Sequence, residues 1–528
     1  MTTTRSNKRT GGTKPAEQNP DLFDQAPASL VLDEFQMLKR FITNMEDNVY
    51  CVTNLPEEFI AVLFAWVSRS PKSFKEHVLQ AIKDGFIDPA KILENPYEQL
   101  SDKAAAFHEK WVVGYGHSSV AEHANAHVGV ERVSRLASAE LELSNEHYAI
   151  TEYSQRYQKP VRGAWFNPFE RWINHSGPTR DMHENPAWIA YEGFMNECFD
   201  VFEELIDGVY KHLTEGKFYP SADSEIARIN ATAMKLSFED ARYALPLAMF
   251  TQLGMTANGR SWRDGLSNLY ASDYAEVHDM TNKLKREITK VLPTLLKHAD
   301  PSEYQAKSKK RMKARFPETF VKGKALQPVA LYDFPLEGHA LREIVTHEIV
   351  RAQGLTINEA RARAGTYSTE ELKEIVLELI WEMGKYDAPP ESFKQIHYQF
   401  SMLISEANWH QLLRHNRKTA FTFAPPNVHS GITIPPRIKE AGLEHKLVEL
   451  AAKAEEFFGT LSPGIREYVV LNAHRRQILA DCNLWEMYHL INLRTSEEAQ
   501  WDIRQAFNDL YEQLKFAHPT LISAAKRR

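Results

Sequence analysis

Residues 116–143, GHSSVAEHANAHVGVERVSRLASAELEL, and residues 384–413, GKYDAPPESFKQIHYQFSMLISEANWHQLL, read as two versions of one segment. Each opens on a Gly-led turn, passes a Glu and enters an apolar helix carrying a Ser followed by a charged residue. Glu122 pairs with Glu391 and Ser134 with Ser405, about 270 residues apart. Farther along, ARYALPLA from Ala241 matches IREYVVLNA from Ile465, Asn258 matches Asn483, and Ala275 matches Ala499, now about 225 apart. Self-similarity of this kind predicts two tandem copies of one domain. The copies span 35–300 and 325–528, and the drop in spacing places an insertion near 160–240 in the first.

Composition narrows the classes. The chain has 528 residues, room for two to four domains. Hydrophobic residues are 43% and charged residues 25%, the balance of a globular protein. No apolar run nears the roughly 18 residues of a membrane span. The net charge of -7 argues against a whole-chain footprint for nucleic acid. Three cysteines, Cys51, Cys198 and Cys482, exclude a disulfide scaffold and a multi-Cys zinc site. No secretory signal opens the sequence, so a cytoplasmic location is expected. Residues 1–30 are expected to be a disordered tail, and 301–324, with KSKKRMKAR at 307–315, a basic linker.

Apolar residues at helical spacing recur in LPEEFIAVLFAWVSRS, SFKEHVLQAIKDG, YEGFMNECFDVFEELIDGVYKHL and TEELKEIVLELIWEMG. VYCVTNLP near Val49 and PVALYDFP near Val329 each read as a strand stopped by Pro. The expected class is α+β, mostly helical, with a small sheet in each copy.

Two polar clusters stand out. In SNEHYAITEYSQRYQKP, residues 144–160, alternation puts Glu152, Ser154 and Arg156 on one face of an extended segment. A carboxylate, a hydroxyl and a guanidinium fork there suit a phosphate with a sugar hydroxyl; an exposed edge strand with an ion pair fits equally. In QLLRHNRKTAF, residues 411–421, Arg414, His415, Asn416, Arg417 and Lys418 close a helix. The helix dipole alone favours cations there, and a nucleotide site would also use them. Arg494 follows an apolar helix, as a C-terminal cap would. His123 and His127 beside Glu122 lack the HExxH pattern, so no metal is expected. Gly114-Tyr115-Gly116 is an incomplete dinucleotide fingerprint, and neither a G-x-S-x-G nor a Walker A motif is present.

Taken together, these residues resemble the flavin-dependent thymidylate synthases. The family carries GHxSxxEH, an SR-bearing helix, RHRxxSxNExSxRY, ARxxLP, N-x-R and a closing L-R-x4-AQxEIR. The first copy matches with Gly116-His117, Ser119, Glu122-His123, Ser134-Arg135, Glu152-x-Ser154-x-Arg156-Tyr157, Ala241-Arg242-x-x-Leu245-Pro246 and Asn258-x-Arg260. The second matches with Gln411-x-x-Arg414-His415, Asn483, Leu493-Arg494 and Ala499-Gln500-x-Asp502-Ile503-Arg504. The losses are largely complementary. In the first copy Ser144-Asn145-Glu146 replaces RHR, and Tyr270 stands for the closing Arg. In the second, Phe421–Pro426 replaces ExSxRY, and Trp485 stands for the Arg of N-x-R.

The resemblance implies reductive methylation of dUMP to dTMP with methylenetetrahydrofolate, NADPH and FAD. It implies one composite site between the copies, and a homodimer of the tandem chain imitating the family tetramer. By matched position, Arg494 would act on the uracil. Glu152, Ser154, Gln155, Arg156, Arg242, Gln411, Arg414 and Arg466 would bind substrate. Ser119, Glu152, Asn258, Arg260, Arg414, His415 and Asn483 would hold FAD. The incomplete motifs leave two alternatives open: a catalytically degenerate nucleotide- or flavin-binding paralogue, or a related flavin enzyme acting on another pyrimidine nucleotide.

Overall fold

The computed structural model describes residues 32–45, 51–67, 74–86, 118–153, 159–169, 185–215, 223–297, 299–319 and 327–526. The chain forms two compact units, Met1–Ala124 and Asn125–Arg528. The first contains α1 (Leu32–Leu38), α2 (Glu57–Val67) and α3 (Phe74–Lys83). Their apolar faces meet in a core that includes Leu38, Phe41, Phe59, Leu63 and Val78. The strand expected around Val49 reduces to a single bridge between Ile42 and Val52 among the described residues.

The second unit begins with β1 (Asn125–Ser134), α4 (Arg135–Leu143) and β2 (Ala149–Glu152). Next come α5 (Pro186–Thr214), α6 (Asp223–Ala241), β3 (Phe250–Asn258), α7 (Gly259–Leu269), α8 (Ala275–Val291) and α9 (Glu303–Arg315). Then follow β4 (Val329–Asp333), α10 (Glu337–Gln353), α11 (Ile357–Ala364), α12 (Thr369–Ile380), β5 (His397–Ser405), α13 (Glu406–Leu412) and β6 (Thr419–Phe423). The chain closes with α14 (Pro436–Glu440), α15 (Glu444–Thr460), β7 (Arg475–Asn483), α16 (Leu484–Arg494) and α17 (Trp501–Ala517). The antiparallel sheets have orders β1-β3-β2 and β4-β5-β7-β6. The chain is thus mostly helical α+β, with a small sheet in each copy.

The repeat is visible element by element. Ser134 and Ser405 each cap the helix that follows their strand, Ser134 accepting from Ala137 N and Ser405 from Asn408 N. Asn258 and Asn483 do the same for α7 and α16. Serine and asparagine are preferred there because their side-chain oxygens satisfy amides the helix leaves unpaired. The segment before each Ser was read as helix; it is a strand, β1 or β5. Val128, Val130 and Val133 favour that pleated conformation, and the buried positions of β5 fall at every second residue.

The copies meet about an approximate two-fold axis near the Pro246–Leu471 bridge. Leu247 N donates to Val470 O and Asn472 N to Leu245 O, both at 2.8 Å. Buried hydroxyls also cross over. Tyr243 donates to Asp502 of the second copy at 2.8 Å, and Tyr468 donates to Glu276 of the first at 3.0 Å. Each carboxylate also takes the hydroxyl of its own copy's capping Ser, Ser405 or Ser134. This exchange explains why most of the first copy and all of the second lie in one unit, rather than dividing near 301–324.

The insertion near 160–240 includes the long helices α5 and α6, where the second copy has the shorter α14 and α15. Over 303–315 the basic stretch joining the copies is helix α9, with Lys309 and Lys313 both paired to Asp273. The tail at 1–30 lies outside the described residues.

Candidate functional site between the two copies

Helix α4 presents Arg135 and Ser138 one turn apart, so both face the end of β2. There Glu152 accepts from Arg135 Nη1 at 2.7 Å, Ser138 Oγ at 3.0 Å and Thr251 Oγ1 at 3.1 Å. Its other oxygen accepts from Arg414 Nη2 of the second copy at 2.9 Å. Burial alone would raise the Glu152 pKa. Arg135, Arg414 and the Ser138 hydroxyl outweigh it and hold this carboxyl below its usual range. Glu142 lies on the same face of α4, a turn beyond Ser138. Burial, then the charge of Glu152, pushes it up to about 8 despite the two arginines. Asn416 Nδ2 of the second copy donates to the Glu142 backbone oxygen at 2.9 Å.

The turn after α13 carries Arg414 and His415 side by side. Arg494, last residue of α16, donates Nε to His415 Nε2 at 2.9 Å and Nη2 to Gln411 O at 2.8 Å. Arg494 is therefore linked to the Glu152 cluster through the residue next to Arg414. Burial and then the Arg494 charge keep His415 neutral, its pKa well below the ordinary value. With Nε2 accepting, the imidazole proton sits on Nδ1, which faces Glu486 at 3.5 Å. His415, Glu486 and His489 bring donor atoms within 4.8 Å of one another, as a metal would need. The Arg494 cation on the His415 lone pair opposes such an ion.

Other expected site residues are more dispersed. Gln411 donates to Gln500 Oε1 at 3.4 Å and to its own helix. Arg242 is buried at the two-fold contact, where its backbone oxygen accepts from Asn472. Arg466 runs instead to Glu318 and Glu467. Asn258 is five residues along β3 from Leu253, the partner of Glu152, or roughly 17 Å of strand. Arg260 follows it, exposed on α7, and Asn483 caps the helix that bears Glu486 and Arg494. Ser154, Gln155 and Arg156 lie outside the described residues, as does the Ser119 side chain, which belongs to the first unit. Helix register corrects two pairings: counted from the capping Ser134 and Ser405, Arg414-His415-Asn416 falls opposite Leu143-Ser144-Asn145, one residue before the segment the motif suggested. α7 and α16 have eleven residues each, so the first-copy counterpart of Arg494 is buried Leu269, not Tyr270.

The symmetry-related position is filled differently. Sheet register puts Phe423 where the first copy has Glu152, Trp409 for Ser138 and Glu406 for Arg135. Arg476, at the place of Thr251, closes on Glu406 at 2.8 and 2.9 Å, with its guanidinium over Trp409 and Phe423. Leu143, the counterpart of Arg414, packs against the apolar cluster containing Trp409, to which Phe423 also packs. One of the two related positions is polar and the other is an aromatic plug. Alternation and motif matching identified Glu152, Arg414 and Arg494, but Arg135's and Thr251's part depends on pairing across strands distant in sequence.

The family model described as thymidylate synthase complementing protein matches residues 53–294 and again 297–520. The chain belongs to this family. The relatives include a UPF0159 protein of Chlamydia pneumoniae, 23% identical over 92% of both chains. A UPF0159 protein of Thermoplasma acidophilum is 23% identical, covering 83% of this chain and 92% of that one. A flavin-dependent thymidylate synthase of Saccharolobus solfataricus is 34% identical over 24% of this chain and 52% of its own. Among solved structures, flavin-dependent thymidylate synthase ThyX of Helicobacter pylori, complexed with FAD and dUMP, aligns with a TM-score of 0.29. It is 13% identical, over 38% of this chain and all of that one. The double match spans both copies, so the tandem form is that of a flavin-dependent thymidylate synthase domain present twice. No helix among the described residues is long and apolar enough to cross a membrane.

Proposed function

We propose that this chain reductively methylates dUMP to dTMP at one composite site, using methylenetetrahydrofolate and NADPH with FAD. The observation that carries the reading is the 2.9 Å bond from Arg414 of the second copy to Glu152 of the first. It joins the complementary halves of the family's motif. We further propose a homodimer, because the family builds each site from more than two domain copies.

The donor set suits an anionic dinucleotide in part. Arg414 keeps 42% of its side chain exposed and spends only Nη2 on Glu152, so further donors face outward. Arg260 is exposed as well. His415 is buried and both ring nitrogens face partners, so it would support the cofactor through Arg414 and Arg494 rather than by open contact. Arg414, Arg260, Asn258 and Asn483 would hold FAD, with Glu152 assisting. Bound there, FAD would supply the hydride chemistry.

The chain's own groups bind and polarise. Glu152 fixes two guanidinium groups in place, which avoids reorganising them when charge develops. Arg156, Ser154 and Gln155, which follow β2 in the sequence, would take the phosphate and sugar. Gln411, Arg242 and Arg466 are weaker candidates, since their present bonds are internal. Arg494, a planar fork held by His415 and Gln411 O, would meet charge on the uracil ring. Anaerobic incubation with dUMP, NADPH and methylenetetrahydrofolate is expected to give dTMP and to bleach the flavin. A protein that binds dUMP and flavin but never forms dTMP would instead be a degenerate paralogue.

A further inference from the structure

Glu142, like Ser138 and Thr251, belongs to this cluster without having been singled out by the motif comparison. It is 2% exposed, and its Oε2 has no hydrogen-bond partner. An uncompensated buried carboxyl is costly unless it is neutral or awaits a partner. It shares a face of α4 with Arg135 and Ser138, the donors that hold Glu152. At the symmetry-related position of the plugged half stands Leu413. At this helix position a carboxyl therefore occurs only in the polar half, the carboxylate of the plugged half, Glu406, being taken up by Arg476.

The surrounding charges are few. Arg414 faces it from the turn after α13, Glu152 from β2 and Arg135 from its own helix. Charges on the other helices against α4 have partners of their own. Glu276 of α8 takes Ser134 and Tyr468, and Arg263 of α7 pairs with Asp264. β3 contributes the neutral Thr251, which bonds Glu152.

We propose that Glu142 is the neutral acid of the composite site, a specificity-determining group that donates its proton in a hydrogen bond to an acceptor oxygen of the bound pyrimidine nucleotide. This rests on the reading of the site given above. Burial and the Glu152 charge keep the proton on Glu142 up to about pH 8. Above that, Glu142 becomes an acceptor and a second negative charge beside Glu152, and it repels an anionic ligand. The device distinguishes an acceptor-bearing anion from a cation or a donor at the same place.

The test measures dUMP affinity from pH 7 to 9 for the wild type, Glu142→Gln and Glu142→Leu. Wild-type affinity is expected to fall by up to about tenfold between pH 8 and 9. Glu142→Gln keeps a donor without the charge, so it binds as wild type at pH 7 and loses less at pH 9. Glu142→Leu is expected to bind about tenfold more weakly at pH 7. Ionisation of the ligand is common to all three proteins. Glu142→Gln tracking the wild type at every pH would overturn the proposal. A separate readout needs no ligand: an infrared carboxylic-acid band at pH 7, absent from Glu142→Gln and lost above pH 8. Absence of that band also overturns the proposal. The band without dUMP binding at any pH overturns the nucleotide reading, and the ligand named here with it, while leaving the neutral acid in place.

Discussion

Glu152→Gln is expected to destabilise the folded protein by about 3 kcal/mol and to abolish nucleotide binding. The change leaves Arg135 buried without its counter-charge, and breaking a buried pair by removing one partner costs about 3–5 kcal/mol. The lower end applies because Glu142, freed from the Glu152 charge, can ionise and partly replace it. Arg414 contributes less, since its side chain is 42% exposed and water screens it. Chemical denaturation of the two proteins side by side measures the loss, and equilibrium dialysis with dUMP measures binding. Unchanged stability would mean that the Arg135–Glu152–Arg414 arrangement is not formed in solution. Normal stability loss with intact dUMP binding would remove Glu152 from the site.

The second large effect concerns Arg494. Arg494→Lys is expected to lower turnover by about 100-fold while changing dUMP affinity less than about threefold. Lysine keeps the charge but not the fork that bonds His415 and Gln411 O together. An interaction that strengthens only as charge develops on the ring changes turnover and spares ground-state binding. Steady-state dTMP formation, paired with dUMP titration, separates the two. Unchanged turnover would make Arg494 an ordinary cap of α16.

Much of this arrangement was legible in the order of residues. The pairs Ser134/Ser405 and Asn258/Asn483 carried the repeat because capping chemistry demands those residue types at the same local place. The Arg414–Glu152 bond was foreshadowed only as complementary motif losses. The exchange of Tyr243 and Tyr468 was not legible, because nothing local marks a tyrosine whose partner lies in the other copy. The strand character of β1 was missed because the SR motif beyond it reads as helix and the bulge between Glu131 and Val133 breaks the alternation. Pairing Arg494 with Tyr270 failed by one residue, since helix length sets that register and local spacing does not. Glu142 gave no signal, as a Glu on a helix reads as solvated until its burial is known.

The central claim is that two copies make one site. The Glu152–Arg414 half is polar, while Phe423, Trp409 and Leu143 fill its counterpart. The most direct measurement is the number of dUMP molecules bound per chain, by isothermal titration of flavin-loaded protein of known active concentration. The account predicts one per chain, lost in Arg414→Ala. Two per chain, or one that survives Arg414→Ala with unchanged affinity, would contradict it.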